Sequence, residues 1–278
     1  MSTPRVAAIH DLSGFGRCSL TVAIPILSAM GVQCCPLPTA LLSTHTGNFK
    51  GYTFLDLTDE MPKIAAHWAS LNLHFDAIYS GFMGSEAQMA LVGAFLKTFR
   101  RDSSTLAVVD PVMGDHGKCY VTYTPAMCAG MEALAAQADV ITPNLTEAAF
   151  LLHQPCDRLG TDEAGYRDCV ERLSLDGRRS VVLTGVSLRP GETGAACFDR
   201  DTGKTDFVTT AFVGREFHGT GDVFASVLTG GLVGGSSLLA ATRTAVDFVR
   251  DCAGRTAPQN LPAREGVDFE PLLWTLHG

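Results

Sequence analysis

Gly219, Thr220, Gly221 and Asp222 stand together where an apolar run begins, in "GREFHGTGDVFAS" (214–226). Glycines let a backbone approach a ligand closely, and a helix N-terminus offers unpaired N–H groups and positive dipole to an anion. An aspartate there is commonly a plain N-terminal cap. The alternative is a base held beside an anion hole. Two further acids bear on the choice. Asp110 precedes Pro111, which holds its backbone extended, and "DPVMGDHG" continues as an irregular glycine-bearing loop. Such an acid suits Mg²⁺, usually through water, when the metal also rides on nucleotide phosphates; its bland alternative is a loop cap. Glu147 falls in the first turn of a helix after "PN", where the dipole alone favours an acid. No G-x-x-x-x-G-K-[ST] occurs and no G-x-G-x-x-G follows a strand, which disfavours a P-loop or a dinucleotide site. What remains is a glycine turn carrying its own carboxylate, with two acids available for metal. That set suits phosphoryl transfer to a hydroxyl: the carboxylate takes the proton and the N–H groups stabilise the moving phosphoryl.

The elements that must position these residues alternate. Strands are expected at "RVAAIH" (5–10), "DAIYSGF" (76–82), "STLAVVDP" (104–111), "ADVITPN" (138–144) and "RSVVLTG" (179–185). Helices are expected at 20–31, 85–100, 145–152, 221–233 and about 237–253. "VQCCPLPTALL" (32–42) reads as an extended edge or irregular strand because of its prolines, and 194–199 with 204–210 read as an antiparallel hairpin. Strand–helix alternation means a mostly parallel sheet covered on both faces, in one domain over residues 1–278. Ligands gather at the carboxyl ends of such strands. Asp11 and Ser13, Phe82 and Gly84, Asp110, Asn144 and Glu147, and Thr184 and Gly185 then share one rim with the glycine turn.

Bulk composition narrows the partners. A hydrophobic content of 46% with 18% charged residues suits a well-buried core, and a net charge of −8 with no basic cluster argues against nucleic acid. No signal peptide or membrane-spanning run is read. The 9 cysteines are odd in number, scattered and free of C-x-x-C pairs, which fits a reducing cytoplasm better than a disulfide framework or zinc site. His45, His116 and His218 share the rim without the partner spacing of metal ligands.

"FHGTGDVFASVLTGGL" resembles the signature of the ribokinase-like superfamily, in its vitamin-kinase branch. "STHTGNF" (43–49), "SGFMGS" (80–85), "VVDPVMGDHGKCYV" (108–121) and "ITPNLTEAAFL" (141–151) resemble pyridoxal kinases in order and spacing, from about residue 5 to about 255. The resemblance implies a three-layer α/β/α fold and an ATP- and Mg²⁺-dependent kinase of vitamin B6, forming a homodimer. By position it implies Asp222 as base, with Gly219, Thr220 and Gly221 as the anion hole. It places Asp110, Thr142, Asn144, Glu147, Thr184 and Gly185 about the nucleotide, with Asp110 and Glu147 toward the metal. Thr46, Gly47, Phe82 and Tyr120 fall where the pyridine ring is held, together with Asp11 and Ser13 after the first strand. Phe82 offers a face for stacking and Thr46 a hydroxyl; ordinary packing is the plain alternative for both.

One stretch departs from the family. Pyridoxal kinases usually follow the first strand with Gln-Ser-His, whereas "IHDLSGFGRCS" looks more like the Ser-Asp-Pro-Ser-Gly-Gly opening of hydroxymethylpyrimidine kinases, and Phe82 replaces the usual Tyr. A carboxylate at Asp11 in place of a neutral Ser favours a cationic amine, so pyridoxamine is expected beside pyridoxal; otherwise Asp11 caps the turn "DLSG". Hydroxymethylpyrimidine kinase and a non-catalytic nucleotide sensor are the competing functions. The "STHTG" block opposes the first. Retention of Asp222, whose charge would repel phosphate, opposes the second.

Overall fold

The computed structural model describes residues 3–100 and 104–277. In chain order the elements are β1 (Arg5–Phe15), α1 (Leu20–Ala29), β2 (Gln33–Thr44), β3 (Phe54–Asp56), α2 (Met61–Ser70), β4 (Ala77–Ser80), α3 (Glu86–Phe99), β5 (Leu106–Val109), β6 (Gly114–Asp115) and β7 (Lys118–Cys119). They continue with α4 (Pro125–Ala135), β8 (Val140–Ile141), α5 (Leu145–Leu151), α6 (Glu163–Leu173), β9 (Ser180–Val186), β10 (Glu192–Asp199), β11 (Lys204–Ala211), α7 (Thr220–Val233) and α8 (Leu238–Thr256). The main sheet has nine strands in the order β11-β10-β9-β8-β5-β4-β1-β2-β3. The six from β2 to β9 run parallel, β10 and β11 extend the sheet as an antiparallel hairpin from β9, and β3 closes the other edge antiparallel.

Two-residue alternation sends each strand into two cores. Ala7, Ile9, Ala107, Val109 and Leu183 face the layer of α2 to α6, with Met61, Phe95, Met131, Ala148 and Val170. Val6, Val108, Val140 and Val182 face α1, α7 and α8, through Val22, Val227 and Ala245. Both faces are covered, as continuous apolar strands require. The architecture is the three-layer α/β/α arrangement expected from the sequence, with the antiparallel hairpin at β10 and β11.

Several boundaries differ from the expectation, and one concerns the site. β1 runs on through Phe15, so Asp11 and Ser13 lie inside a strand and not after it. Pairing with β2 carries the chain through that stretch, with a register shift between His10 and Leu12 where β2 carries one extra residue opposite Asp11. Thr184 and Gly185 lie in β9, inside the strand expected over 179–185, and the register with β10 slips at Gly194 and Ala195. The prolines of β2 fall as anticipated: Pro36 and Pro38 precede Ala40–Leu42, the part that β3 flanks, so β2 is an edge where its N–H groups are missing. The helices α2, α4 and α6 and the β6–β7 ribbon were not anticipated. Among the described residues no helix is long and apolar enough to cross a membrane.

At the amino ends of the strands, away from the rim, Asp139 is a buried structural acid. It accepts hydrogen bonds from Arg100 Nη2 (2.6 Å), Arg200 Nη1 (2.5 Å) and the Ala107 N–H (2.8 Å). Asp139→Ala strands two guanidinium groups and a buried N–H. Removing one partner of such a network costs about 2–4 kcal/mol. Chemical denaturation should show a loss of that size while kcat at low temperature stays at the parent value; an unchanged midpoint would show the triad to be idle.

Candidate active site

The glycine turn opens α7. Gly219, not Asp222, is the N-cap, in the left-handed region at φ 75°, and no side chain caps the helix. A Cβ at 219 would collide with the Arg17 carbonyl, so glycine is required by close backbone approach as well as by φ. Asp222 is the third helical residue, which removes the cap reading of it. Its carboxyl is pushed up to about 7, first by burial, then by the negative charges of Asp110 and Asp11; the Ser19 backbone N–H acts in the opposite sense. A carboxylate poised near neutrality suits proton transfer.

Asp110 follows β5 and is buried, with its Oδ1 accepting from Thr142 Oγ1 at 2.9 Å. Burial raises its carboxyl to about 7. Glu147 is buried too, and burial and Asp110 push its carboxyl well above the usual range. Its plain reading is realised: Asn144 and Glu147 form a capping box on α5. Glu147 Oε2 accepts from the Asn144 N–H (2.8 Å) and Oε1 from the Met113 N–H (3.2 Å). Glu147 thereby ties the 110–117 loop to the α5 start. Asn144 Nδ2 donates to the Gly114 carbonyl (2.9 Å), and Thr146 Oγ1 accepts from the Gly117 N–H (2.9 Å). Thr184 joins the same junction through its N–H to the Pro143 carbonyl (2.9 Å) and a bridge to Asn144. Gly185 follows at φ 78° with open space around its Cα.

The other half of the rim is formed by β1, the 45–50 turn and the loop after β7. Asp11 and Ser13 are buried, and both Asp11 oxygens are engaged: Oδ2 accepts from Ser13 Oγ (2.8 Å) and Oδ1 from Ser19 Oγ (2.6 Å). Thr46 and Gly47 lie in a turn fixed by His45, whose Nδ1 accepts from the Gly47 N–H (3.1 Å). Its Nε2 therefore carries the proton given to the Arg264 carbonyl (2.6 Å). Asn48 Nδ2 lies 3.0 Å from His218 Nε2, which joins this turn to the residue before Gly219. Phe82 packs with its ring centroid 6.2 Å from that of Tyr123. Tyr120 exposes part of its ring, yet burial and the charges of Glu147, Asp115, Asp222 and Asp110 all hold its phenol above the ordinary range. Asp110, Glu147, Asp222, Asp11 and Tyr120 thus share one electrostatic field.

Sequence reasoning missed four supports of the site. Tyr123 backs Phe82. Gln88, buried in α3, takes the Gly84 N–H on its Oε1 (2.8 Å) and donates to the Thr39 carbonyl (2.9 Å) and Thr58 Oγ1 (3.0 Å), which fixes the turn bearing Phe82. A lone Gln inside an apolar helix was the available signal. His10 lies fully buried against Tyr79 (centroids 4.3 Å), with neither ring nitrogen hydrogen-bonded in the structure, and burial lowers its pKa to about 3. A Cβ at Gly81 would strike that ring. Ser19 is the fourth. His116, on the exposed loop, reaches Glu216 (3.2 Å) across the mouth. An apolar crevice between α2 and α3, lined by Ile9, Leu37, Met61, Leu91 and Phe95, carries no charged group and lies apart from this chemistry.

Among the described residues no three His, Cys, Asp or Glu side chains cluster tightly enough to hold a metal ion alone. The buried acids fit Mg²⁺ in another way. Burial raises both carboxyls, and the charge of Asp110 raises Glu147 further, so a hard divalent ion shared with phosphate and water oxygens would relieve both. The model for the phosphomethylpyrimidine kinase family matches residues 24–263. A pyridoxine/pyridoxal/pyridoxamine kinase of Bordetella avium is 28% identical, over 97% of this chain and 93% of the relative. A candidate phosphomethylpyrimidine kinase of Bacteroides thetaiotaomicron, solved in a crystal form with pyridoxal, is 43% identical over 99% of this chain and 96% of that one, with a TM-score of 0.93. Pyridoxal kinase from Lactobacillus plantarum is 32% identical over 99% of this chain and 97% of that one, with a TM-score of 0.90.

The raised carboxyl of Asp110 makes a pH-dependent stability claim. Folding favours its protonated form, so that contribution is complete below the ordinary value of 3.8 and is lost as pH rises through about 7. Asp110→Asn keeps the acceptor for Thr142 and removes the charge. Thermal melts should show the variant more stable than the parent at pH 8, by about 1–3 kcal/mol, with the gain fading toward pH 4. Equal stability at pH 8 would mean that the carboxylate is well solvated.

Proposed function

The chain belongs to the pyridoxal kinase and phosphomethylpyrimidine kinase family, a phosphotransferase family with an alcohol acceptor, and from that premise we propose that it phosphorylates the hydroxymethyl group of a B6 vitamer with ATP. One observation carries this reading most: Asp222, poised near neutrality, stands at the start of a helix that no side chain caps. In the proposed reaction Asp222 accepts the proton of the hydroxymethyl group as that oxygen attacks the terminal phosphorus of ATP. ADP leaves, and the backbone N–H groups of Gly219, Thr220 and Gly221 meet the charge on the transferring phosphoryl. Asp110 and, through its remaining lone pairs, Glu147 would hold Mg²⁺, which when bound neutralises phosphate charge. Thr142, Asn144, Thr184 and Gly185 border the nucleotide. Thr46, Gly47, Phe82 and Tyr120 border the ring, backed by Tyr123.

Residues 1–278 act in this proposal as one kinase unit, paired as a homodimer in the cytoplasm. The vitamer pyridoxal enters on the likeness to the Bacteroides protein in a form with pyridoxal. A second reading, phosphorylation of a hydroxymethylpyrimidine, draws on the opening "HDLSGFG" and on the description of the matching family. ADP release measured over pyridoxal, pyridoxamine, pyridoxine and hydroxymethylpyrimidine separates the two. A kcat/KM for the pyrimidine above that of every vitamer would overturn the first.

The base assignment has its own test. Asp222→Asn should fold normally and bind ATP, with kcat reduced about 10²–10⁴-fold, the range of general-base catalysis. Turnover within a few-fold of the parent would remove Asp222 from the role. Glu147→Gln and Asp110→Asn should each shift the Mg²⁺ titration of activity to higher concentration; superimposable titrations would leave both acids purely structural.

A further inference from the structure

Both oxygens of Asp11 accept hydroxyl hydrogen bonds, Oδ2 from Ser13 and Oδ1 from Ser19. The partner Ser19 is unusual in three respects. It is the N-cap of α1, yet its side chain caps nothing, since the hydroxyl goes to Asp11. Its backbone sits at φ 52°, ψ −132°, a region costly for any residue with a Cβ. Its own N–H faces the Asp222 carboxylate. The 16–19 segment is also wedged against the phosphate turn, because Gly219 lies on the Arg17 carbonyl. On the far side the Arg17 N–H donates to the Glu265 carbonyl (3.2 Å).

We infer that Asp11 is a positioning residue: it clamps the Ser19 hydroxyl, holds Ser19 in its left-handed conformation, and so aims the Ser19 N–H at Asp222. Opposite Asp11 the β1–β2 register shifts by one extra residue in β2, an irregularity of the kind common beside active sites. A glycine at 19 would adopt the backbone more readily but offer no hydroxyl. The serine supplies a handle, and Asp11 grips it. The inference rests on the assignment of Asp222 as base, and it replaces a direct contact between Asp11 and the vitamer.

A double-mutant cycle on the full chain decides it. Asp11→Ala should lower kcat about tenfold, with KM for ATP and for each vitamer changed by less than about twofold. In a Ser19→Gly background, where the backbone needs no clamp, the same substitution should cost less than about threefold. Asp11→Asn keeps one acceptor at similar volume and should lie between; it also covers the case in which the alanine variant folds poorly, checked by circular dichroism. Equal losses in both backgrounds would overturn the inference, as would an altered ratio of kcat/KM for pyridoxal and pyridoxamine. Asp222→Asn in the same assay separates the two levels. If it keeps turnover, the base assignment fails; if it loses turnover while the cycle is additive, only the positioning role fails.

Discussion

Negative charge without a protein counter-charge is the constraint around which this molecule is arranged. Asp110, Glu147, Asp222 and Asp11 converge at the carboxyl ends of the strands; burial raises the affinity of all four for protons, and the charges of Asp110 and Asp11 add to it at Glu147 and Asp222. No salt bridge among the described residues reaches any of the four. The contrast lies within the same sheet, where Asp139 at the opposite end is held by two arginines. Arg17 passes close to the phosphate turn, but its guanidinium is turned away to Asp268 and Glu270. The arginine nearest the rim is thus occupied elsewhere, and in the proposed reaction the compensation falls to what binds there: phosphate-borne metal at one end and a proton in transit at the other.

A cluster of that kind would spread apart if its supports were soft. Three of the acids are therefore fixed by hydrogen bonds from backbone N–H groups or side-chain hydroxyls. Glu147 bridges two N–H groups and closes a capping box, Asp110 is held by Thr142, and Asp11 gathers two serines. The segment after α8 laces the substrate side together: its carbonyls at Leu261, Ala263, Arg264 and Glu265 accept from Arg215, the His218 N–H, His45 and the Arg17 N–H. The phosphate turn, the 45–50 turn and the start of α1 all hang on one short strap. Destabilising charge and dense local hydrogen bonding are two sides of one design, as expected where function and stability pull apart.

Much of this was legible in the residues. Apolar runs such as "LAVVD" and "SVVLTG" gave β5 and β9, and glycine with aspartate before an apolar run marked the start of α7. The failures have physical causes. The expected first strand stops at His10 because Asp11, Ser13, Gly14 and Gly16 read as a turn, whereas pairing with β2 extends β1 and tolerates them; tertiary contact overrides local preference. α6 is strongly polar and was passed over, although Asp162 stood ready to cap it through the Gly165 N–H. α2 carried the apolar spacing Met61, Ile64, Ala65, Trp68 behind a proline that is harmless in a first turn. For Ser19 no signal existed: a serine before an apolar run reads as an ordinary cap, and only coordinates reveal that its hydroxyl points the other way.

Capping also sorts which helix starts remain open to an anion. Side chains cap α3, α4, α5, α6 and α8, each consuming a terminal N–H. At α5 the capping box spends the very donors that a phosphate would need, so the acid there is free to serve only through its own oxygens. α7 and α1, which pack on one another beside Asp222, lack side-chain caps, as does α2, where Pro62 in the first turn already removes one N–H. An uncapped terminus leaves N–H groups partly unsatisfied at some cost in stability. Glycine at 219 and the diverted hydroxyl of Ser19 are the two local means by which this chain leaves them so. The distinction between cap and site, undecidable for a single Asp or Glu in sequence, becomes a question of whether the neighbouring N–H groups are already taken.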